Sequence, residues 1–242
     1  MSGSPFSLAG RQVLVTGAAS RIGAATARLC ARMGAQVVLS DGDAARLAEV
    51  RDTLEGGGHA VLPADSADSA DPAARQAMAD ALPALDACVF AAAPCTPLPV
   101  RDLTRQHLDA AFALGVDAPL LLTSALLAAH KIRDHASLVY VTGTDRHWAF
   151  GGSAAGAAGQ AALHAAVRAL AVELAGQGIR ANCVAPGPLD TAQPEGAHAA
   201  APLGPIAADD VAAGIVYLLA PASRWVSRAS LAIDGGLSLH VR

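Results

Sequence analysis

A hydroxyl, a carboxylate and an imidazole fall within six residues at Thr142, Asp145 and His147. An aspartate–histidine pair with a nearby hydroxyl can in principle move protons. Thr144, Arg146 and Trp148 fill out a polar cluster, although charges in a loop after a strand are more often simply solvated. Other side chains of catalytic use are scarce. The chain has one lysine, Lys131, and two tyrosines, Tyr140 and Tyr217, and no tyrosine stands four residues before a lysine. The stretch 149–175 contains neither type. A second pattern suits ligand binding: Gly17-Ala18-Ala19-Ser20-Arg21-Ile22-Gly23 is a glycine turn of the kind that brings main chain close to a phosphate. Asp41 follows some two dozen residues later, near the spacing that sets an acid against an adenosine ribose.

These residues need elements to hold them. Gln12–Thr16 reads as a β-branched strand that passes through the glycine turn into an amphipathic helix ending near Gly34. A strand at Gln36–Leu39 and an Ala-rich helix through Leu54 follow, then strand Ala60–Leu62 and helix Pro72–Ala81. The pattern predicts strand Ala87–Phe90, a long helix over Leu103–His130, strand Leu138–Thr142 and helix Ala154–Gly176. Strand Arg180–Val184, helix Asp209–Leu219 and strand Ser230–Ile233 close the series. Alternation of this kind predicts an α/β chain with a doubly wound parallel sheet, Rossmann-type, helices on both faces and right-handed crossovers. We expect one domain over 1–242. The candidates Thr142, Asp145 and His147 then sit at the carboxyl end of a strand, where such sheets place their ligands.

Composition narrows the function. The chain of 242 residues is 53% hydrophobic and only 3% aromatic, so Gly and Ala supply much of a core built on close approaches. A formal charge of −4 without a basic patch argues against nucleic-acid binding. Cys30, Cys88, Cys95 and Cys183 form no Cys-x-x-Cys pair and adjoin no histidine cluster, which suits reduced thiols, no metal site and a cytoplasmic location. Residues 1–10 do not read as a secretion signal, and we expect no membrane span, because Gly, Pro or charge breaks each apolar run.

In order and spacing the landmarks resemble the short-chain dehydrogenase/reductase family over essentially the whole chain. They are Thr16-Gly17…Ile22-Gly23, Asp41, Leu85-Asp86, Glu173-Leu174-Ala175…Arg180-Ala181-Asn182, Pro186-Gly187…Asp190-Thr191, Pro202-Leu203-Gly204 and Asp234-Gly235-Gly236. The resemblance implies a nicotinamide cofactor held by Gly17, Arg21, Ile22, Gly23, Asp41 and Asp65 if any binds. Asp68 or a plain acidic turn are alternatives for Asp65. Asp41 would favour NAD over NADP, because its charge repels a 2′-phosphate. Arg21 occupies the middle glycine of the turn, where it either blocks a pyrophosphate or pairs with it; the pteridine-reductase branch carries arginine there too.

The same resemblance places the family's tyrosine on Gly156, its lysine on Gln160, its serine on Gly143 and its asparagine near Gly115. Its Asn-Asn-Ala-Gly turn is replaced by Phe90-Ala91-Ala92-Ala93, with Phe90 aimed either into the adenosine space or into the core. Tyrosine, in the family, exchanges a proton with substrate, a contribution commonly worth ~10²–10⁴ in rate. His164, one turn beyond Gln160, reads as a helix-interface residue. Three functions follow as expectations: a catalytically silent subunit, with no or weak NAD, completing an oligomer with an intact paralogue, some such pairs being hydroxyacyl-CoA dehydrogenases; an enzyme rewired onto Asp145, His147 or Thr142; or a small-molecule sensor. Helix 154–176 has small residues on nearly every face, and the resemblance implies that it and helix 103–130 form an oligomer interface.

Overall fold

The computed structural model describes residues 4–64, 71–91, 97–143, 152–189 and 202–239. Seven parallel strands form one sheet in the order β3-β2-β1-β4-β5-β6-β7. They are β1 (Gln12–Thr16), β2 (Gln36–Ser40), β3 (Ala60–Val61), β4 (Leu85–Ala91), β5 (Ile132–Val141), β6 (Arg180–Pro186) and β7 (Ser230–Ile233). The chain runs outward from β1 to β3 and then returns to lay β4 on the other side of β1. That reversal opens a crevice above Thr16 and Phe90, which are register partners.

Among the described residues seven α-helices cover the sheet: α1 (Arg21–Arg32), α2 (Ala44–Asp52), α3 (Pro72–Ala81), α4 (Arg105–Phe112), α5 (Ala118–Ala128), α6 (Ala154–Glu173) and α7 (Ala208–Leu219). One face packs Ala24, Ala27 and Cys30 of α1, Leu47 of α2 and Ile215 of α7 against Val13, Val15 and Val139. The other packs Ala79 of α3, Leu122 and Leu126 of α5 and Leu163 and Val167 of α6 against Cys88, Leu138 and Tyr140. With both faces covered, the central strands carry almost unbroken apolar runs, as a parallel sheet requires.

The expected elements are present with four corrections. Thr104 caps α4 through a reciprocal bond with His107, so the helix starts at Arg105 rather than Leu103. A π turn at Ala113–Asp117 then joins α4 to α5. Together they form a continuous stretch, Arg105–Ala128, that is long and apolar enough by length and composition to cross a membrane; the expectation that every apolar run is too short missed this. Leu122 and Leu126 on it are buried against the sheet, a position that calls for the same composition. The fifth strand begins at Ile132 rather than Leu138, because Ile132 already pairs with Leu85. Between Ile132 and Ser137 the partner strand advances only from Leu85 to Ala87, and His135 (φ 64°) absorbs the surplus beside Gly178 (φ 70°).

Polar groups tie the ends together. Leu218 O, near the end of α7, accepts from Ser137 Oγ (2.7 Å), Arg180 Nη2 (2.7 Å) and Ser223 Oγ (2.9 Å). Arg180 also donates to Val226 O, and burial, with Arg11 nearby, lowers its pKa to about 10, which leaves it charged at neutral pH. Asp234 accepts from the N–H groups of Gly236 and Ser238, both at 2.9 Å. Burial opposes its charge, but these bonds and the Ser238 hydroxyl prevail and hold the carboxyl below the ordinary aspartate value.

Two stability predictions follow. The folded state favours ionised Asp234, so that contribution is complete above the unfolded pKa and disappears as pH falls through the lower folded value. Asp234→Asn should cost about 1–2 kcal/mol at neutral pH, and the gap to wild type should close below about pH 4 in denaturant titrations. Thr26 Oγ1 on α1 is fully buried with no hydrogen-bond partner among the described residues. Removing that hydroxyl in Thr26→Val should raise stability by about 1 kcal/mol, read in the same titrations.

Candidate functional site

The crevice between β1 and β4 is floored by the glycine turn. Gly17 has φ 64°, and a Cβ there would overlap the Ala91 carbonyl oxygen at the end of β4. A Cβ on Gly23 would overlap Gly17 O, so helix and turn touch main chain to main chain. Ser20 caps α1, its Oγ accepting from Gly23 N–H at 3.0 Å. The N–H groups of Arg21 and Ile22 are left without intrahelical acceptors at the positive end of the helix, an arrangement that suits a phosphate. Arg21 itself is exposed. Asp41, half-buried at the end of β2, accepts from Ala19 N–H (3.1 Å) and Asp43 N–H (3.2 Å). Its carboxylate therefore stands fixed beside the turn, and the residues present fit the pyrophosphate and ribose of a dinucleotide.

The other half of the crevice lies between the carboxyl end of β5 and α6. Gly156, Gln160 and His164 recur at one-turn spacing along α6. Gln160 Oε1 accepts from Gly143 N–H at 2.9 Å, so the residue at the expected lysine position spans to the residue at the expected serine position. One turn on, His164 Nε2 lies 2.9 Å from Thr142 Oγ1, which also bonds Val184 O at 3.2 Å. Thr142 and His164 are both buried. His164 is thus an interface residue between α6 and β5, as expected, and its bond to Thr142 was not foreseen. Gly115 lies buried in the π turn, and among the described residues nothing stands within 4 Å of where its Cβ would be.

None of the chain's lysine or tyrosine side chains reaches this site. Lys131 lies at the opposite end of the sheet, where Nζ donates to Asp80 O (3.0 Å) and Leu82 O (2.6 Å) and closes the end of α3. Tyr140 is in the core, stacked on Phe90 with ring centroids 4.7 Å apart and hydrogen bonded to Thr123. Burial pushes its phenol far above the usual range. Phe90 is therefore core, and its alternative placement in the adenosine space is set aside. Tyr217 lies against Phe6. The thiols of Cys30 and Cys88 are buried and raised by desolvation, that of Cys30 to about 12. Among the described residues no three His, Cys, Asp or Glu side chains gather as metal ligands. Asp65, Cys95, Asp145 and His147 lie outside the described residues, as does most of the loop that begins at Pro188.

Comparison with known proteins covers the same extent. Residues 17–238 match the family described as Enoyl-(Acyl carrier protein) reductase. D-threitol dehydrogenase of Mycolicibacterium smegmatis is 30% identical, over 97% of this chain and 95% of that one. The (2S)-[(R)-hydroxy(phenyl)methyl]succinyl-CoA dehydrogenase subunit BbsD of Thauera aromatica is 31% identical over 95% of this chain and 97% of its own. Among solved structures, a Beutenbergia cavernae protein assigned as an NAD(P)-dependent gluconate 5-dehydrogenase, with NADP bound at low occupancy, superposes with a TM-score of 0.86. It is 29% identical over 98% of this chain and 100% of that one.

The Gln160 bridge predicts a measurable cost. Gln160→Ala removes the acceptor of Gly143 N–H and should lower stability by about 1 kcal/mol, whereas Gln160→Glu, which keeps an acceptor, should retain most of it. Equal losses in both variants on chemical denaturation would contradict the bridge.

Proposed function

Because the chain belongs to the short-chain dehydrogenase/reductase family, we propose that it is an NAD(P)-binding oxidoreductase of that family with a rewired active site. The observation that carries the reading is a contrast within one crevice. The main-chain cradle at Gly17, Gly23 and Asp41 has the form a dinucleotide needs, while positions 115, 143, 156 and 160 carry only glycine and glutamine. In this reading the N-terminus of α1, with Gly17, Ile22 and Gly23, holds the pyrophosphate and Arg21 flanks it. Asp41 takes the adenosine ribose and disfavours a 2′-phosphate, which makes NAD the preferred form, and Asp65 is positioned in sequence for the adenine. Bound there, the dinucleotide supplies hydride transfer. Protons that accompany it move through groups other than a tyrosine–lysine pair, with Thr142, Asp145 and His147 the candidates.

A second reading has its own support. Gln160 is engaged with Gly143 and Thr142 with His164 and Val184, so neither side chain is poised as a proton donor to substrate. The relative from Thauera aromatica is named as a subunit of its dehydrogenase. In this second reading the chain, through the oligomeric habit of its family, is the silent companion of an intact paralogue.

Turnover of the purified chain tests both readings. With NAD and a panel of polyols and secondary alcohols, the wild type should be slow. The triple variant Gly143→Ser, Gly156→Tyr, Gln160→Lys should gain about 10²-fold or more, since it restores acid/base participation. Residual wild-type turnover that Asp145→Ala and His147→Ala abolish supports rewiring, and its complete absence without a partner supports the companion. Wild-type turnover as fast as the triple variant would overturn both.

A further inference from the structure

We propose that the crevice takes an apolar secondary alcohol, or its ketone, with a single oxygen at the reacting carbon, and turns polyols away. Such a ligand lies beside the dinucleotide of the reading above, on which this inference rests. Two segments flank the carboxyl ends of β5 and β6, where Gly143 and Gln160 meet. The first, between β4 and α4, is pinned to the start of α6 by Leu98 N–H, which donates to Gly152 O at 2.8 Å. Gly152 has φ 89°, and a Cβ there would lie 3.0 Å from Leu98 N, so the two stretches meet main chain to main chain. The second segment, before α7, is pinned beyond the end of β7. Leu203 N–H donates to Gly235 O at 3.1 Å, and Pro202 packs beside Gly236.

These pinned segments present apolar side chains. Val100 is 68% exposed and Leu203 88% exposed. A large apolar side chain held out of the core beside a crevice gains free energy when a ligand covers it. Arg101 and Asp102, next to Val100, pair with each other in solvent. Among the described residues, polar partners for a ligand are few. The N–H groups of Leu98, Gly143, Gly187, Leu203 and Gly236 are each spent on an internal acceptor, and Pro97, Pro99 and Pro202 have none to offer. Thr142 is engaged with His164 and Val184 O. The Gln160 amide has its oxygen held by Gly143 N–H, which leaves the Nε2 hydrogens for a ligand.

One amide group serves one oxygen. A secondary alcohol or ketone meets that provision with its reacting oxygen and lays its carbons against Val100 and Leu203. A polyol brings further hydroxyls that give up water at this mouth and find few partners, and a hydroxyl left unpaired weakens binding more than a missing contact does.

Cyclohexanol and myo-inositol test this as a matched pair, since they share one carbon ring and differ in carrying a single hydroxyl or one on every carbon. Each is titrated calorimetrically into the purified chain saturated with NADH, where alcohol and cofactor are both reduced and no reaction can follow. Cyclohexanol should bind about tenfold or more tighter than inositol. Leu203→Ser and Val100→Ser, at exposed positions that folding does not need, should each weaken cyclohexanol about threefold. Equal or tighter binding of inositol overturns the proposal, as does the binding of neither alcohol. Cyclohexanol binding that both serine variants leave untouched overturns it too. Failure of NADH to bind counts against the dinucleotide reading instead. The pair is then titrated into the chain alone, where the same order of affinities supports the apolar mouth, and the reverse order or no binding overturns it.

Discussion

The fold turns on a place where there is no room for a side chain. At Gly17 the chain leaves β1, adopts a left-handed conformation and presses its Cα against the carbonyl of Ala91 on β4, while Gly23 presses in turn on Gly17. These contacts fix the start of α1 over the point where the strand order reverses, and with it the direction of the helix end. Asp41 adds a carboxylate bond to the same turn from β2. Three adjacent strands therefore converge on one loop, the one assigned to the dinucleotide in the proposed reading.

Across the crevice the logic is different. Where a proton relay needs a titratable group with freedom to reach substrate, α6 presents Gly156 and two side chains already engaged with β5. Gln160 and His164 bind Gly143 and Thr142 as successive rungs, which gives the helix a defined seat on the sheet. Polar residues here fulfil the hydrogen-bonding needs of main chain and core, a task that helps stability. In the proposed reading the glycine-turn cradle and the proton relay are physically independent, and one can persist without the other.

Much of this was legible in the residues. Alternating β-branched runs and Ala-rich helices specify a parallel sheet almost element by element, because each strand must be apolar on both faces. The loss of tyrosine and lysine from 149–175 is a matter of composition and needs no coordinates. What could not be read depends on distance across the fold. Nothing in the order of residues says that the Gln160 amide reaches Gly143 or that Lys131 closes α3. The π turn at Gly115 was hidden for another reason: one extra residue in a helix leaves the apolar pattern almost unchanged. The fifth strand starts at Ile132 rather than at the expected Leu138 because a register shift across Arg133, Asp134 and His135 is absorbed inside a longer strand.

The central claim is that a working dinucleotide cradle coexists with an absent tyrosine relay. Calorimetric titration of NADH into the purified chain, followed by single-turnover hydride transfer to a ketone from the saturated complex, addresses both halves at once. The account predicts saturable binding below about 1 mM and hydride transfer slowed by at least about 10²-fold relative to a tyrosine-bearing relative. Absence of saturation, or transfer at the relative's rate, would contradict it.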